Sequence, residues 1–182
     1  MIGRLDPKSG QIKLATLPTP SSNPYGLVIN SKGVPFFSEF GANRLASIDP
    51  ATMAIHEYPL PHADSRPRRI AITPDDVIWY TDYARGCLGR FDPRTGEVKE
   101  CPSPGGRHSQ PYGITFAKGA VWYSESGVRP NTLVRFDPAV ETFQSWTIPS
   151  GGGVVRNMMA DHEGNIVLAE SGVDRIALAV VQ

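Results

Sequence analysis

Apolar residues in this chain occur in short runs bounded by Gly, Pro, Asn or Asp, and no run has the length or period of a helix. The stretch from residue 110 to residue 148 shows this pattern most clearly. It predicts four strands, over 112–116, 120–125, 132–137 and 142–148, each rich in β-branched and aromatic residues. The short connections favour an antiparallel meander in which each strand pairs with the next one.

Three sequence markers recur in phase along the chain. The first is an Asp-Pro pair after an apolar strand, with its acidic residues at Asp6, Asp49, Asp92 and Asp137. The second is Ser, Thr or Ala followed by a carboxylate at a strand end, with its carboxylates at Glu39, Asp82, Glu125 and Glu170. Both markers recur at intervals of 43, 43 and 45 residues. The third marker opens each unit, as Pro24-Tyr25-Gly26, Pro67-Arg68-Arg69, Pro111-Tyr112-Gly113 and, in degenerate form, Val155-Arg156-Asn157.

A unit of four antiparallel strands in about 43 residues has the size of a β-propeller blade. Helical repeats can have the same period, but the strand-forming residues and the turns rich in Asp, Pro and Gly favour the blade. We therefore predict an all-β propeller of four-stranded antiparallel blades, forming a single domain or part of one, with repeats at approximately 2–44, 45–87, 88–132 and 133–175.

The predicted strands do not divide evenly into blades. Residues 1–17 supply only the third and fourth strands of a blade, and residues 153–182 only the first three, so three whole blades are flanked by two partial ones. Two arrangements account for this. We favour a fragment of a larger propeller; the alternative is a closed four-bladed ring in which the N-terminal fourth strand completes the last blade.

The charge and composition of the chain limit the classes of molecule that it is expected to bind. Eighteen Lys and Arg residues balance eighteen Asp and Glu residues, which argues against nucleic acid and anionic membranes as partners. No stretch is long and apolar enough to span a membrane, and the N-terminus lacks the pattern of a signal peptide. We expect a soluble protein of the cytoplasm or periplasm that binds a small molecule, with open blade edges available for self-association.

Candidate functional residues follow from the meander. The start of a blade's first strand and the end of its second lie at one sheet edge, and the first strand of a propeller blade is innermost. This edge therefore surrounds the axial pocket. It gathers the ligand-binding candidates Tyr25, Glu39, Arg68, Arg69, Asp82, Tyr112, Glu125, Arg156 and Glu170, together with His62 and His108 from loops that open onto the mouth.

Such a ring can bind a hard cation through carboxylates or hold a polar substrate with guanidinium groups and aromatic faces. Crowding can also raise the pKa of one carboxyl enough for general-base work. The alternative is structural: each carboxylate accepts backbone N–H groups from its own loop, and each arginine neutralises a neighbour. The arginines at 68, 69 and 156, where other copies have Tyr-Gly, are the deviations that scaffolding alone does not require.

Other notable residues have structural interpretations. The Asp of each Asp-Pro pair suits an Asx turn, and Trp79, Trp122 and Trp146 suit packing between blades. Cys87 and Cys101 lie on the two strands of one hairpin, so either a disulfide or two reduced thiols fits the spacing. No histidine has a second ligand at zinc spacing.

The repeated elements Pro111-Tyr112-Gly113-Ile114 and Trp122-Tyr123-Ser124-Glu125, with the Glu-Phe-Gly-Ala-Asn-Arg-Leu segment at 39–45, resemble the virginiamycin B lyase (streptogramin lyase) family. The resemblance covers essentially residues 2–177. It implies a propeller that confers antibiotic resistance by opening a cyclic depsipeptide at its ester linkage, through Mg²⁺-dependent elimination without hydrolysis.

The family's catalytic positions do not carry over to this chain. The catalytic His of the family corresponds to Tyr25, Arg68, Tyr112 and Arg156. One metal-binding Glu corresponds to Asn23, Arg66, Gln110 and Val154, and the second to Phe40, Tyr83, Ser126 and Ser171. The resemblance thus predicts a streptogramin-lyase-like propeller that binds a polar or cyclic ligand in its axial pocket, with Mg²⁺-dependent elimination as one form of that function. A non-catalytic ligand-binding or protein-interaction propeller and a gluconolactonase-like hydrolase remain open alternatives.

Overall fold

The computed structural model describes all 182 residues, which form seventeen β-strands and no helix. The strands are β1 (Ile2–Leu5), β2 (Ile12–Ala15), β3 (Pro24–Ile29), β4 (Pro35–Glu39), β5 (Arg44–Ile48), β6 (Ile55–Pro59), β7 (Pro67–Ile72), β8 (Ile78–Asp82), β9 (Cys87–Asp92), β10 (Glu97–Pro102), β11 (Pro111–Ala117), β12 (Ala120–Glu125), β13 (Thr132–Asp137), β14 (Thr142–Thr147), β15 (Val155–Ala160), β16 (Ile166–Glu170) and β17 (Arg175–Ala179). The structure therefore contains no helix that could cross a membrane.

The strands pair in chain order into antiparallel meanders that form propeller blades. Blade 1 comprises β3 to β6, blade 2 comprises β7 to β10, blade 3 comprises β11 to β14, and blade 4 comprises the three strands β15 to β17. A two-stranded sheet of β1 and β2 precedes blade 1. The predicted all-β propeller, with three whole blades and two partial ones, is confirmed.

The closed ring completed by the N-terminal strand is not what the structure shows. Strand β2 pairs with β1 alone, and the outer edge of β17 has no fourth strand. Ile2 and Ala15 instead pack against the core around Phe37 and Ala46, on the side of blade 1 that faces away from blade 2. The N-terminal strands thus bury their apolar face against the nearest blade in the sequence.

The hydrophobic core lies between successive blades. Tyr80 and Phe91 of blade 2 pack with Phe36 and Leu45 of blade 1. On its other face blade 2 contributes Trp79, whose ring lies 5.4 Å from that of Phe136 in blade 3. Alternate residues of each strand thus face opposite neighbours, so every central blade is buried on both faces.

The third-to-fourth strand hairpins contain the predicted Asx turns. The carboxylate of Asp49 accepts the backbone N–H groups of Ala51 and Thr52, each at 2.8 Å, and Asp92 accepts that of Arg94 at 3.0 Å. Asp6 and Asp137 make the equivalent bonds. The acidic residue of the Asp-Pro marker is therefore structural in all four copies.

The two cysteines are free thiols. In the register of β9 and β10, Cys101 lies opposite Leu88 while Cys87 lies opposite Pro102. Neighbouring positions along a strand point to opposite faces, so the two side chains cannot reach each other. Of the alternatives for this pair, the reduced thiols fit the structure.

Candidate ligand-binding site

A β-bulge begins the first strand of every blade, at the position of the third sequence marker. In blade 1 Pro24 pairs with Glu39 and Leu27 with Phe37, so that Tyr25 and Gly26 together face Ser38. Blades 2 and 3 repeat this register, and blade 4 has the same shift after Val155. A bulge redirects the side chain of its extra residue. Here it places Tyr25, Arg68, Tyr112 and Arg156 at equivalent positions at one end of the blades, which we call the mouth.

The hydroxyl of the second marker fixes each bulge to the next blade. Ser38 accepts the N–H of Gly26 at 2.9 Å and donates to the carbonyl of Arg68 in blade 2 at 2.7 Å. Thr81 donates in the same way to the carbonyl of Tyr112 at 2.9 Å. Ser124 accepts the N–H of Gly113 and donates to the carbonyl of Val155, both at 3.1 Å. These three buried hydroxyls, which we call the hydroxyl clamps, position the backbone of the mouth.

Glycine fits closely where the bulge of blade 1 meets that of blade 2 and where the bulge of blade 3 meets that of blade 4. A Cβ atom on Gly26 would lie 3.1 Å from the carbonyl oxygen of Arg68, and one on Gly113 would lie 3.3 Å from that of Val155. The first strands of adjacent blades therefore pack backbone to backbone. This close approach brings the neighbouring mouth residues together.

The centre of the mouth is the Arg68 cluster, formed by Arg68, Tyr25, Phe40, Tyr83 and Tyr112. The guanidinium carbon of Arg68 lies 3.8 Å from the ring centroid of Tyr112, 4.2 Å from that of Tyr83 and 4.6 Å from that of Phe40. The ring of Tyr25 is 5.4 Å away. A cation enclosed by four aromatic faces is stabilised by cation–π attraction, which strengthens as water is excluded.

The hydroxyls of Tyr25 and Tyr112 hydrogen-bond across the mouth, which joins blade 1 to blade 3. Burial and this hydrogen bond raise the pKa of Tyr112. Burial alone would also raise the pKa of Tyr25, but its bonds to Tyr112 and the nearby guanidinium groups outweigh burial and lower the pKa. Tyr25 is 40% exposed, whereas Tyr112 is fully buried.

Arg69 and Arg156 flank the Arg68 cluster. The guanidinium carbon of Arg69 lies 5.2 Å from the ring centroid of Tyr25. Arg156 is exposed, and its charge acts on the Tyr112 hydroxyl. The structure therefore brings together five of the predicted site residues: Tyr25, Arg68, Arg69, Tyr112 and Arg156.

The four predicted carboxylates are not part of this surface. Asp82 accepts the backbone N–H groups of Arg66 and Arg85, and Glu125 accepts bonds from Ser103, Gly105 and Thr132. Each lies opposite the residue that precedes its bulge and is at most 1% exposed. Asp82, Glu125 and Glu170 stabilise the loops behind the mouth, as in the structural interpretation, although loops entering the first strand contribute several of the donors.

Glu39 is the carboxyl whose pKa is most altered. Burial, reinforced by the nearby carboxylate of Glu57, raises the pKa of Glu39 to about 7. Neither of its carboxylate oxygens has a hydrogen-bond partner. Because the side chain is fully buried, this pKa affects folding and does not provide a base that a ligand could reach.

The two predicted histidines lie apart from the Arg68 cluster. The Nε2 atom of His62 is 3.4 Å from the carboxylate of Glu100, beside a pocket of about 360 Å³ that Arg85 and Cys87 also line. His108 is exposed and makes no side-chain hydrogen bond or ion pair. Neither histidine contacts an aromatic ring of the cluster.

A larger cavity, of about 690 Å³, lies between the outer strands of blades 3 and 4. Its lining includes Trp146, which is 47% exposed and stacks on Trp122 with the ring centroids 5.9 Å apart. Trp79 and Trp122 are buried between blades as predicted, whereas Trp146 covers the outer edge of that interface.

Sequence reasoning missed Phe40 and Tyr83 as parts of the mouth. Both follow directly after the carboxylate of the second marker, in blades 1 and 2. An aromatic residue at that one position in two copies is the signal that could have identified them, since blades 3 and 4 have serine there.

Comparison with known proteins agrees with this repeat geometry. A model of the Virginiamycin B lyase family matches residues 1–181. The chain belongs to the virginiamycin B lyase family. No curated protein sequence matches the chain significantly.

Solved structures of virginiamycin B lyase share the fold closely. The selenomethionine-substituted enzyme from Staphylococcus aureus superposes with a TM-score of 0.85 at 28% identity, over 99% of this chain and 62% of that chain. A catalytically inactive variant of the Staphylococcus aureus lyase with Quinupristin gives 0.84 at 27% identity over the same shares. This chain thus spans 62% of the length of those lyase chains.

Gluconolactonases are more distant neighbours. The gluconolactonase XC5397 from Xanthomonas campestris superposes with a TM-score of 0.65 at 17% identity, over 81% of this chain and 56% of that chain. At this identity the similarity shows a shared fold and nothing about chemistry.

The residues of this chain do not fit the Mg²⁺ that the virginiamycin B lyase family uses. No group of three or more His, Cys, Asp or Glu side chains converges anywhere in the structure. A positive charge, the guanidinium of Arg68, already lies at the centre of the mouth. Hard divalent cations need several oxygen ligands, and the mouth offers neutral phenols and positive charges instead.

Proposed function

We propose that this chain binds a cyclic, polar ligand at the mouth of a virginiamycin B lyase-like propeller. The observation that carries the proposal is the convergence of the Arg68 cluster from three blades at the positions where the family places its catalytic groups. A ligand at this place meets aromatic faces, a phenol and guanidinium groups together.

The chemistry of these side chains suits a ring-shaped ligand with polar substituents. Exposed aromatic faces pack against flat or apolar parts of a ligand, while phenol and guanidinium groups orient its carbonyls. Tyr25 is the aromatic ring most available for this, because it is 40% exposed. The Staphylococcus aureus lyase solved with Quinupristin supports a type B streptogramin as the first ligand to test.

Ring opening by elimination is the second candidate function, and membership of the lyase family favours it. Elimination needs a group that accepts a proton from the ligand. Tyr25 suits this role best among the mouth residues, because its pKa is lowered and the residue is 40% exposed. The missing histidine and the poor fit to Mg²⁺ make binding without turnover the function that we put first. A gluconolactonase-like hydrolase rests on fold similarity alone and ranks last.

Two measurements on one sample test these candidates. Isothermal titration with a type B streptogramin measures binding, and mass spectrometry after incubation with and without Mg²⁺ detects ring opening. Binding with an unchanged ligand mass supports the binding function. A mass that is unchanged while the ring is opened, as shown by fragmentation, indicates elimination, and a gain of one water indicates hydrolysis.

Variants locate the binding site. Arg68→Gln removes the cation from the Arg68 cluster. It should weaken ligand binding about tenfold, because a desolvated cation–π contact contributes about 1 to 2 kcal/mol to the stability of the cluster. Trp146→Ala is the matched control, because it removes an aromatic ring at the separate 690 Å³ cavity. Equal losses in both variants, or a loss only in Trp146→Ala, would place the ligand outside the mouth.

A further inference from the structure

The arginines of the mouth have no negative partner. Ion pairs elsewhere are common, as between Arg85 and Asp64 at 3.0 Å and between Arg94 and Asp92 at 2.9 Å. In contrast, Arg68, Arg69 and Arg156 have no carboxylate within 4.0 Å. Three positive charges are therefore concentrated in a chain whose formal net charge is zero.

Two of these arginines also lack hydrogen bonds that their burial would call for. The Nε atoms of Arg68 and Arg69 are both buried without a hydrogen-bond partner. Leaving a charged donor buried and unpaired costs free energy, and in native structures such a group usually has a partner. The carboxylate of Asp82, at the end of the second strand of the same blade, bonds through Oδ1 to backbone N–H groups of its own loops.

The arginines lie on adjoining elements at one end of the molecule. Arg68 and Arg69 are the two bulge residues of blade 2, and Arg156 is the equivalent of Arg68 in blade 4. Tyr112 of blade 3 connects them, since its ring contacts Arg68 and its blade touches the backbone beside Arg156. In the other two bulges the same positions hold Tyr-Gly, so the positive charge is not needed to form the bulge.

We propose that Arg69 and Arg156 bind a carboxylate group of the ligand, while the Arg68 cluster packs against the ring that carries it. The inference rests on the proposed function and adds to it the charge of the ligand. Guanidinium groups bind carboxylates through paired, charge-assisted hydrogen bonds, and flat rings stack on tyrosine and phenylalanine. Arg156 is exposed and Arg69 is half-buried, so both can face an anion at the mouth.

Benzoate is the simplest probe that combines a planar ring with a carboxylate, and benzamide is its neutral isostere. We expect benzoate to bind the intact chain at least tenfold more tightly than benzamide, as measured by ligand-observed NMR or titration calorimetry. Its affinity should fall as NaCl is raised from 50 to about 500 mM, because salt screens exposed charges. Acetate, which lacks the ring, should bind more weakly than benzoate.

Two variants test the named residues. Arg69→Gly restores the residue found at this position in blades 1 and 3, and Arg156→Gln removes the exposed charge. Each should weaken benzoate binding about tenfold, the effect of losing one charge-assisted hydrogen-bonded pair, and should weaken benzamide binding much less. Lys13→Gln is the matched control, because it removes one exposed positive charge on β2, outside the mouth. Thermal unfolding of each variant shows whether the fold is retained.

The outcomes separate this inference from the proposed function. Equal binding of benzoate and benzamide, unaffected by either variant, would overturn the carboxylate site while leaving a ring-binding mouth in place. Loss of benzoate binding in Lys13→Gln to the same extent would also overturn it, because the effect would then be one of net charge. Binding of a streptogramin without binding of benzoate would retain the proposed function and reject the anionic ligand.

Discussion

The buried carboxyl of Glu39 predicts that the stability of this protein falls as the pH rises. Its pKa is about 7 in the folded chain, against an ordinary value of 4.5. Between these two pH values the folded state binds a proton that the unfolded state has lost. The free energy of unfolding therefore decreases from pH 4.5 to pH 7 and stays lower above that range. A difference of this size corresponds to about 3 kcal/mol.

Glu39→Gln removes the ionisation and keeps the shape of the side chain. We expect the variant to lose most of this pH dependence and to be more stable than the parent chain at pH 8, by up to about 3 kcal/mol. At pH 5 the two chains should differ little, because Glu39 is then neutral in the folded protein. Urea unfolding followed by tryptophan fluorescence at pH 5, 6, 7 and 8 measures the difference.

Glu57→Gln is the informative companion variant. Its carboxylate raises the pKa of Glu39, so its removal should make the loss of stability smaller and complete it at a lower pH, without abolishing it. However, Glu57 also accepts two hydrogen bonds from Thr19, and the variant will lose part of this contact at every pH. A parent chain and Glu39→Gln variant with parallel pH profiles would refute the reasoning, since burial would then not have altered the pKa of Glu39.

Three further predictions concern buried groups. Ser124→Ala leaves a buried N–H and a buried carbonyl unpaired, and should lower the free energy of unfolding by about 2 kcal/mol in urea titrations, whereas an unchanged midpoint would show that the hydroxyl clamp is dispensable. Gly89→Ala would place a Cβ atom 2.0 Å from the ring of Tyr80, and should lower the free energy of unfolding by about 3 kcal/mol. A variant with wild-type thermal stability would contradict this prediction. Burial raises the pKa of the Cys87 thiol to about 11 and also raises the pKa of Cys101. Iodoacetamide at pH 8 should therefore modify both thiols only after unfolding, as measured by mass spectrometry. Rapid labelling of the native chain would contradict this prediction.

The period of the repeat made the blades predictable. Each Asp-Pro pair and each strand-end carboxylate falls at one place in a blade, and the strands at 120–125 and 132–137 have the predicted bounds. Hydrophobic period and turn chemistry act locally, so a single sequence contains this information. Closure was less predictable: the strand count left two arrangements open, with the fragment favoured, and only the packing of Ile2 and Ala15 against blade 1 decides where β2 lies.

The location of the site could be predicted from the sequence, but the residues that form it could be predicted only in part. Antiparallel pairing placed the marker residues at one edge, which is why Tyr25, Arg68 and Tyr112 were expected to meet. The same reasoning placed Glu39 and Asp82 at this edge but could not show which way they point. The β-bulge in the first strand decides this orientation, because the side chain of the bulge turns toward the mouth. A shift of register by one residue leaves no clear pattern in a sequence.

The hydroxyl clamps have a consequence for how this surface can change. They hold the main chain of the next blade through its carbonyl, so the attachment does not depend on which side chain that residue carries. Ser38 holds an arginine and Thr81 holds a tyrosine in the same manner. At these two mouth positions, Arg68 and Tyr112, the side chain can thus change without loss of the attachment, and ligand preference can be altered there one residue at a time without rebuilding the blades.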